Sequence, residues 1–168
     1  MHGDIQIMNY IIRIIQPEDI GQVFGQMQAL VKHEGLEASF KLTAERMANE
    51  LFGPLADWQG LVAAQGDIIL GFCFYSFANT NRAFNLTPLI QIDDLFVQAK
   101  YRGFGIAKNL LQELAKIAYQ KKIERIELWC LRSNAEGQAF YQTLKAEKLD
   151  FLDVLLLDVA KLMAKSEP

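Results

Sequence analysis

The 168-residue chain has only two cysteines and two histidines. Cys73 and Cys130 lie far apart in apolar runs, without a Cys-x-x-Cys or Cys/His spacing, so neither a disulfide framework, a zinc site nor a redox pair is expected. Both are expected to be free thiols of a reducing compartment. No apolar run approaches the ~20 residues that cross a bilayer, and no basic-then-apolar leader opens the chain. A cytoplasmic protein with no membrane partner is the expectation. Neither sign of charge dominates: 17 Lys and Arg stand against 20 Asp and Glu, for a net charge of -3. That balance speaks against a nucleic-acid surface, which needs clustered cations, and suits a small cationic partner. Internal repeats and low-complexity linkers are also missing. What is present, 51% hydrophobic and 22% charged residues, is the composition of an ordinary globular protein. The length predicts one domain, running from Met8 to residue 168. The seven residues before Met8 are set aside as extraneous or flexible, Met8 being an alternative start.

Periodicity places the elements. "YIIRII", Tyr10 to Ile15, reads as a strand. Pro17 with Glu18 and Asp19 marks a helix start. The apolar positions Ile20, Val23, Phe24, Met27, Leu30 and Val31 then predict an amphipathic helix ending near Gly35. Thr43 is the expected N-cap of a second helix, which Gly53-Pro54 stops. "GLVAAQGDIILGFCFYSF" predicts a hairpin turning at Gln65-Gly66-Asp67, and "PLIQIDDLFVQ" a third antiparallel strand with Pro88 at its start. "GIAKNLLQELAKIAYQKK" is the strongest helical pattern in the chain. Beyond it, "RIELWCL" predicts a strand, "SNAEGQAFYQTLKAE" a helix with Ser133 and Glu136 spaced as a capping box, and "DFLDVLLLD" a last strand before a short tail. The implied fold is α/β (α+β), a single mixed sheet with helices on its faces.

The segment Arg102-Gly103-Phe104-Gly105-Ile106-Ala107 joins the third antiparallel strand to that helix. Unpaired amides and the dipole at a helix start favour an anion, two glycines let the backbone approach it, and Arg102 adds a charged donor. A pyrophosphate would satisfy several amides at once. Glycine spacing alone is equally compatible with a plain strand–helix connection. A P-loop is excluded because Gly-Lys-Ser/Thr is absent, and a dinucleotide fingerprint is disfavoured because Lys108 stands where its third glycine belongs.

Arg102 to Ala107 is similar to the Arg/Gln-x-x-Gly-x-Gly/Ala signature of the GNAT N-acetyltransferase superfamily. The setting agrees: a strand ending in "LFV" before it, a long helix after it, and "FYQTL" some thirty-five residues further on. The resemblance covers nearly the whole chain from Tyr10. Within the superfamily, "HEGLEASFKLTAERM", "IDDLFV" and "YRGFGI" most resemble the diamine (spermidine/spermine) and thialysine acetyltransferases. It implies a GNAT fold with a mostly antiparallel central sheet flanked by helices, acetyl-CoA as cosubstrate, no metal, and a homodimer.

By this resemblance Arg102, Gly103, Phe104, Gly105, Ile106 and Ala107 cradle the pyrophosphate of acetyl-CoA. The backbone amides of Leu95 and Val97 bind its acetyl carbonyl and pantetheine, and Asn134 contacts the cofactor. Asn134 is an equally good N-cap. Acetyl transfer to an amine needs a neutral nucleophile, and an ammonium of pKa ~10 must first lose a proton. Asp93 occupies the position of the acid that the resemblance expects to remove it, directly or through water. Asp94 and Glu34 are candidate substrate-binding acids. Adjacent side chains of a regular strand face opposite ways, so both aspartates enter one site only if the strand is bulged or splayed. Tyr141 matches the tyrosine that protonates the departing thiolate. Without the resemblance, Tyr141 reads as helix-face packing, the aspartates as solvated or paired with lysines, and Glu34, Glu37 and His33 as a solvated helix end.

The chain also departs from the pattern. Lys145-Ala146 replace a glycine-led pair, Gln142-Thr143 lack the basic residues of diamine acetyltransferases, and Ala78 to Thr87 lack the tryptophan of polyamine sites, offering Arg82 and Phe84 instead. The expected activity is transfer of acetyl to a primary amine of a small molecule, a diamine, polyamine or thialysine-like amino acid, by direct attack in a ternary complex. Protein or peptide N-acetylation, or a non-catalytic acyl-CoA-binding module, are the alternatives.

Overall fold

The structure, a computed structural model, describes residues 8–78 and 88–164. The chain forms two compact units, Met1–Trp129 and Cys130–Pro168.

The first unit holds a five-stranded sheet in the order β1 (Ile11–Ile14), β2 (Trp58–Gln65), β3 (Ile68–Ala78), β4 (Leu89–Val97) and β5 (Ile126–Leu128). The first four strands are antiparallel neighbours and β5 runs parallel to β4. β3 is central and buried along most of its length, which is why "IILGFCFYSF" is a continuous apolar run and not an alternation. Gly66, at φ +58°, turns the predicted hairpin between β2 and β3.

Each sheet face carries its own core. On one, α3 (Ile106–Gln120) buries Ile106, Leu110, Leu114 and Ala118, four residues apart, against Leu61, Cys73, Tyr75, Ile90 and Ile92. On the other, α1 (Ile20–Glu34) and α2 (Ala44–Phe52) lay Val23, Met27, Leu30, Met47 and Leu51 over Val62, Phe72, Phe74 and Phe96. Gly35 ends α1 in the left-handed conformation at φ +69°, and the Thr43 side chain accepts the Arg46 N–H at 3.1 Å as cap of α2. Glu18 and Asp19 do not simply face a helix dipole. Residues 17–19 form a 3-10 turn, and the buried Asp19 binds Arg13 at 2.6 and 2.8 Å and the Gln16 N–H at 2.8 Å, tying β1 to that turn.

The second unit corrects three expectations. The strand over "RIELWCL" stops at Leu128, inside the first unit. The helix after it, α4 (Ala135–Thr143), is capped by Asn134, whose Oδ1 accepts the Gly137 N–H at 2.8 Å, so the Ser133–Glu136 capping box does not form. The last strand is absent: "FLDVLLL" lies outside any helix or strand, with Phe151 79% and Leu156 95% exposed, and only α5 (Val159–Ala164) follows. A strand forms only where a neighbouring edge takes its amides and carbonyls, and apolar composition does not supply that edge.

Candidate active site

Pairing between β3 and β4 shifts register at Phe74/Tyr75: Phe74 lies opposite Asp94 and Tyr75 opposite Ile92, leaving Asp93 as the extra residue of a β-bulge. Ile92 packs on the α3 face, and Asp94 sits across from Phe74, which belongs to the α1/α2 face. The bulge therefore carries Asp93 and Asp94 together toward the α1/α2 side. Glu34, at the last residue of α1, is close enough to raise the pKa of Asp94.

The two aspartates differ in their surroundings. Asp93 Oδ2 accepts the indole Nε1–H of Trp58 at 2.9 Å, and Ser76 donates a second side-chain hydrogen bond. The indole is itself fixed by stacking on Phe74, ring centroids 4.6 Å apart. Burial raises the pKa of Asp93, against the lowering effect of these two donors. Burial raises that of Asp94 to about 7, helped by the charges of Asp93 and Glu34. Burial also lifts Glu34 above the ordinary carboxylate range. Under the same sheet Cys73 is fully buried, and burial with the nearby Asp94 and Asp93 pushes its thiol up to about 12. It is a protonated packing group and not a nucleophile. Among the described residues no three His, Cys, Asp or Glu side chains gather closely enough to hold a metal ion.

Downstream of the bulge, β4 pairs with β3 along one of its edges. The Gln98 N–H donates to Leu70 O of β3 at 3.0 Å, and amides alternate along an extended strand. Those of Phe96 and Gln98 thus face β3, and those of Leu95 and Val97 point away from it. The parallel ladder to β5 covers only Ile90–Ile92, so among the described residues of this unit no strand pairs with the other edge of that stretch. A Cβ on Gly71 would lie 2.5 Å from Phe96 O, so glycine lets β3 hold β4 closely there.

A 3-10 turn over residues 99–101 leads into Arg102 to Gly105. Gly103 and Gly105 adopt φ +83° and +78°, and space is open where their Cβ atoms would stand. The turn thus needs glycine for its backbone sign and offers bare backbone at the start of a 15-residue helix. That backbone fits a pyrophosphate. Ile106 is buried, Ala107 half-buried, and Phe104 is 40% exposed beside the turn. Arg102 is anchored inward: its Nε–H donates to Val97 O at 3.1 Å, and its guanidinium lies 5.9 Å from the Phe96 ring centre. On the expectation that this turn takes the pyrophosphate of acetyl-CoA, Arg102→Ala should weaken acetyl-CoA binding by about tenfold, the loss of a charged hydrogen bond, with turnover at saturation changed far less. Calorimetric titration checks this.

In the second unit, Tyr141 is half-buried on α4, edge-on to Phe140 at 5.2 Å, and Asn134 is committed through Oδ1 to its cap. The residues 79–87 singled out for acceptor specificity lie outside the described residues.

The acetyltransferase (GNAT) family profile matches residues 28–145, most of the chain and all of the strand, turn and helix just described. The chain belongs to this family and is an N-acetyltransferase. It is 26% identical over 147 residues to the thialysine N-epsilon-acetyltransferase of Bos taurus, covering 82% of this chain and 84% of that protein. Among solved structures it resembles an integron cassette protein from the mobile metagenome of V. cholerae, with a TM-score of 0.74 at 21% identity over 95% of this chain and 99% of that one. A predicted acetyltransferase from Clostridium acetobutylicum, solved with acetyl-CoA, gives a TM-score of 0.72 at 18% identity, over 91% of this chain and 98% of that one. At such identities the structures establish the fold. Trp58 and Ser76, the partners of Asp93, were not among the residues singled out from sequence; their only signal was an aromatic and a hydroxyl in facing strands.

Proposed function

We propose that this GNAT enzyme transfers acetyl from acetyl-CoA to a primary amine of a small molecule, a diamine, polyamine or thialysine-like amino acid. The observation that carries the reading is the bulge at Asp93, which brings Asp93 and Asp94 to one face, near Glu34. A cluster of carboxylates receives an ammonium group and holds it where one aspartate takes its proton. The glycine turn at Arg102 to Ala107 binds the pyrophosphate, and the Leu95 and Val97 amides, which point away from β3, receive the acetyl carbonyl and pantetheine. Asn134 retains its Nδ2 for the cofactor, and Tyr141 gives its phenolic proton to the leaving thiolate. Protonated Cys73 supports direct attack in a ternary complex. The family match spans both units, which supports reading the chain from Met8 as one catalytic domain. Among the described residues no helix is long and apolar enough to cross a membrane; the cytoplasm is the proposed site of action.

The deciding experiment is thiol release from acetyl-CoA against a panel of diamines, polyamines, thialysine, amino acids and short peptides. Release confined to small amines supports the reading; release confined to peptides, or acetyl-CoA binding without release, refutes it.

The homodimer is supported by the exposed segment Phe151–Leu157, whose apolar side chains a second copy would cover. Leu155→Asp with Leu157→Asp is expected to turn a dimer into a monomer in sedimentation velocity. A monomeric wild type would refute it.

A further inference from the structure

We propose that Asp94 is the group that takes the proton from the attacking amine, and that Asp93 is a positioning residue that holds the bulge in register. The inference rests on the acetyl-transfer reading above and divides the labour within it.

The case begins with what each carboxylate already touches. Asp93 is held from two sides, by the Trp58 indole at 2.9 Å and by the Ser76 hydroxyl. Trp58 and Ser76 are themselves paired across β2 and β3, and the Trp58 ring is stacked on the buried Phe74. Burial raises this carboxylate's pKa, but the two donors oppose that rise and occupy its lone pairs. Its bonds instead join β2, β3 and β4 at the one place where the β4 ladder slips. Asp94, the next residue, is half-buried across from Phe74, and among the described residues no side chain donates a hydrogen bond to it. Its lone pairs are available to an incoming ammonium.

The groups around it are almost all acidic. Asp93 flanks it on β4, Glu34 approaches from α1, and Cys73 stands on β3. Asp57, just before β2, acts on Asp93, and His33 stands beside Glu34. Such surroundings attract a cationic amine and make an aspartate more basic than it is in water. The tuning of Asp94 toward neutrality agrees with this, because a base works best when its pKa lies near the working pH.

The step balances without a further reactant. The ammonium nitrogen gives one proton to the Asp94 carboxylate, and its freed lone pair forms the C–N bond to the acetyl carbon. The C–S bond breaks with its electron pair on sulfur, which takes a proton from the acid on the thiol side, and the nitrogen gives up its second proton, leaving a neutral amide and restoring that acid. Asp94 afterwards returns its proton to water.

The test uses the full chain in three forms, wild type, Asp93→Asn and Asp94→Asn, with two readouts. In carboxyl 13C NMR titrations, the near-neutral transition is expected to vanish in Asp94→Asn and persist in Asp93→Asn. In steady-state kinetics with a reactive amine, Asp94→Asn is expected to lower kcat by roughly 100-fold or more and remove the acidic limb of the pH profile. Asp93→Asn should lower the rate by less and keep that limb, and Asp94→Glu should recover part of the rate. Loss of the near-neutral transition or of the limb in Asp93→Asn, but not in Asp94→Asn, overturns the assignment. A wild type that releases no thiol with any amine would instead sink the acetyl-transfer reading, while the carboxyl titration still decides which aspartate holds the proton.

Discussion

Replacing Tyr141 by phenylalanine is expected to lower turnover by about 10²- to 10⁴-fold, the range for loss of a positioned general acid, while acetyl-CoA affinity stays within about twofold. The substitution keeps the ring and its edge-on contact with Phe140 on α4 and removes only the hydroxyl. Packing is therefore preserved, and the change costs at most about 1 kcal/mol of stability through a lost hydrogen bond. A kinetic loss of that size cannot come from so small a structural change. The leaving thiolate supplies a second check. If the hydroxyl protonates sulfur, an acyl donor whose thiol is more acidic than that of CoA needs the proton less. Tyr141→Phe should then lose less rate with the activated donor than with acetyl-CoA. An equal loss with both donors, or an unchanged turnover, would remove the acid role and return Tyr141 to helix packing.

The sequence was most informative where a local rule was sufficient. The period of α3, the left-handed Gly35, the Thr43 cap and the Gly66 turn each depend on residues within four positions of one another. The turn from Arg102 to Gly105 is legible for the same reason: its two glycines take positive φ because the backbone must reverse there. The division of roles between Asp93 and Asp94 is not local. It depends on Trp58, 35 residues away in sequence, and on a register slip that shows only once β3 is paired with β4. The doublet of acids told that a bulge was needed to bring both to one face, but not which acid would find donors. Asn134 and Ser133 present a smaller case of the same kind: two adjacent residues can each cap a helix, and the chain path into the helix chooses. Phe151 to Leu157 present the opposite case. Their apolar character is plain in the sequence, but a strand needs an edge, and no pattern in a segment names the edge it will meet.

The unusual environment of Asp94 makes a prediction about stability as well as rate. An aspartate raised from 3.8 to about 7 on folding binds protons more tightly in the native than in the unfolded chain. Between those values the native state carries more protons, so stability falls as pH rises. The cost is absent below about pH 4, accumulates through the interval, and is complete above about pH 7. This is opposite in sign to Asp19, whose pKa is lowered beside Arg13 and which stabilises the fold above the ordinary carboxylate range. Asp94→Asn removes the titration and keeps the shape. The variant is expected to match or fall slightly below wild type near pH 4 and to exceed it at pH 8 by on the order of 2–4 kcal/mol. That range sits at and below the full value of the shift, because the new amide must find partners of its own. Denaturant unfolding at the two pH values measures it. A variant no more stable than wild type at pH 8 would mean that Asp94 is solvated in the native chain and unsuited to the part assigned to it. A variant more stable yet far slower would show that the fold tolerates a costly carboxylate at the bulge because the reaction uses it, since a residue kept for structure alone gives up stability when it is replaced.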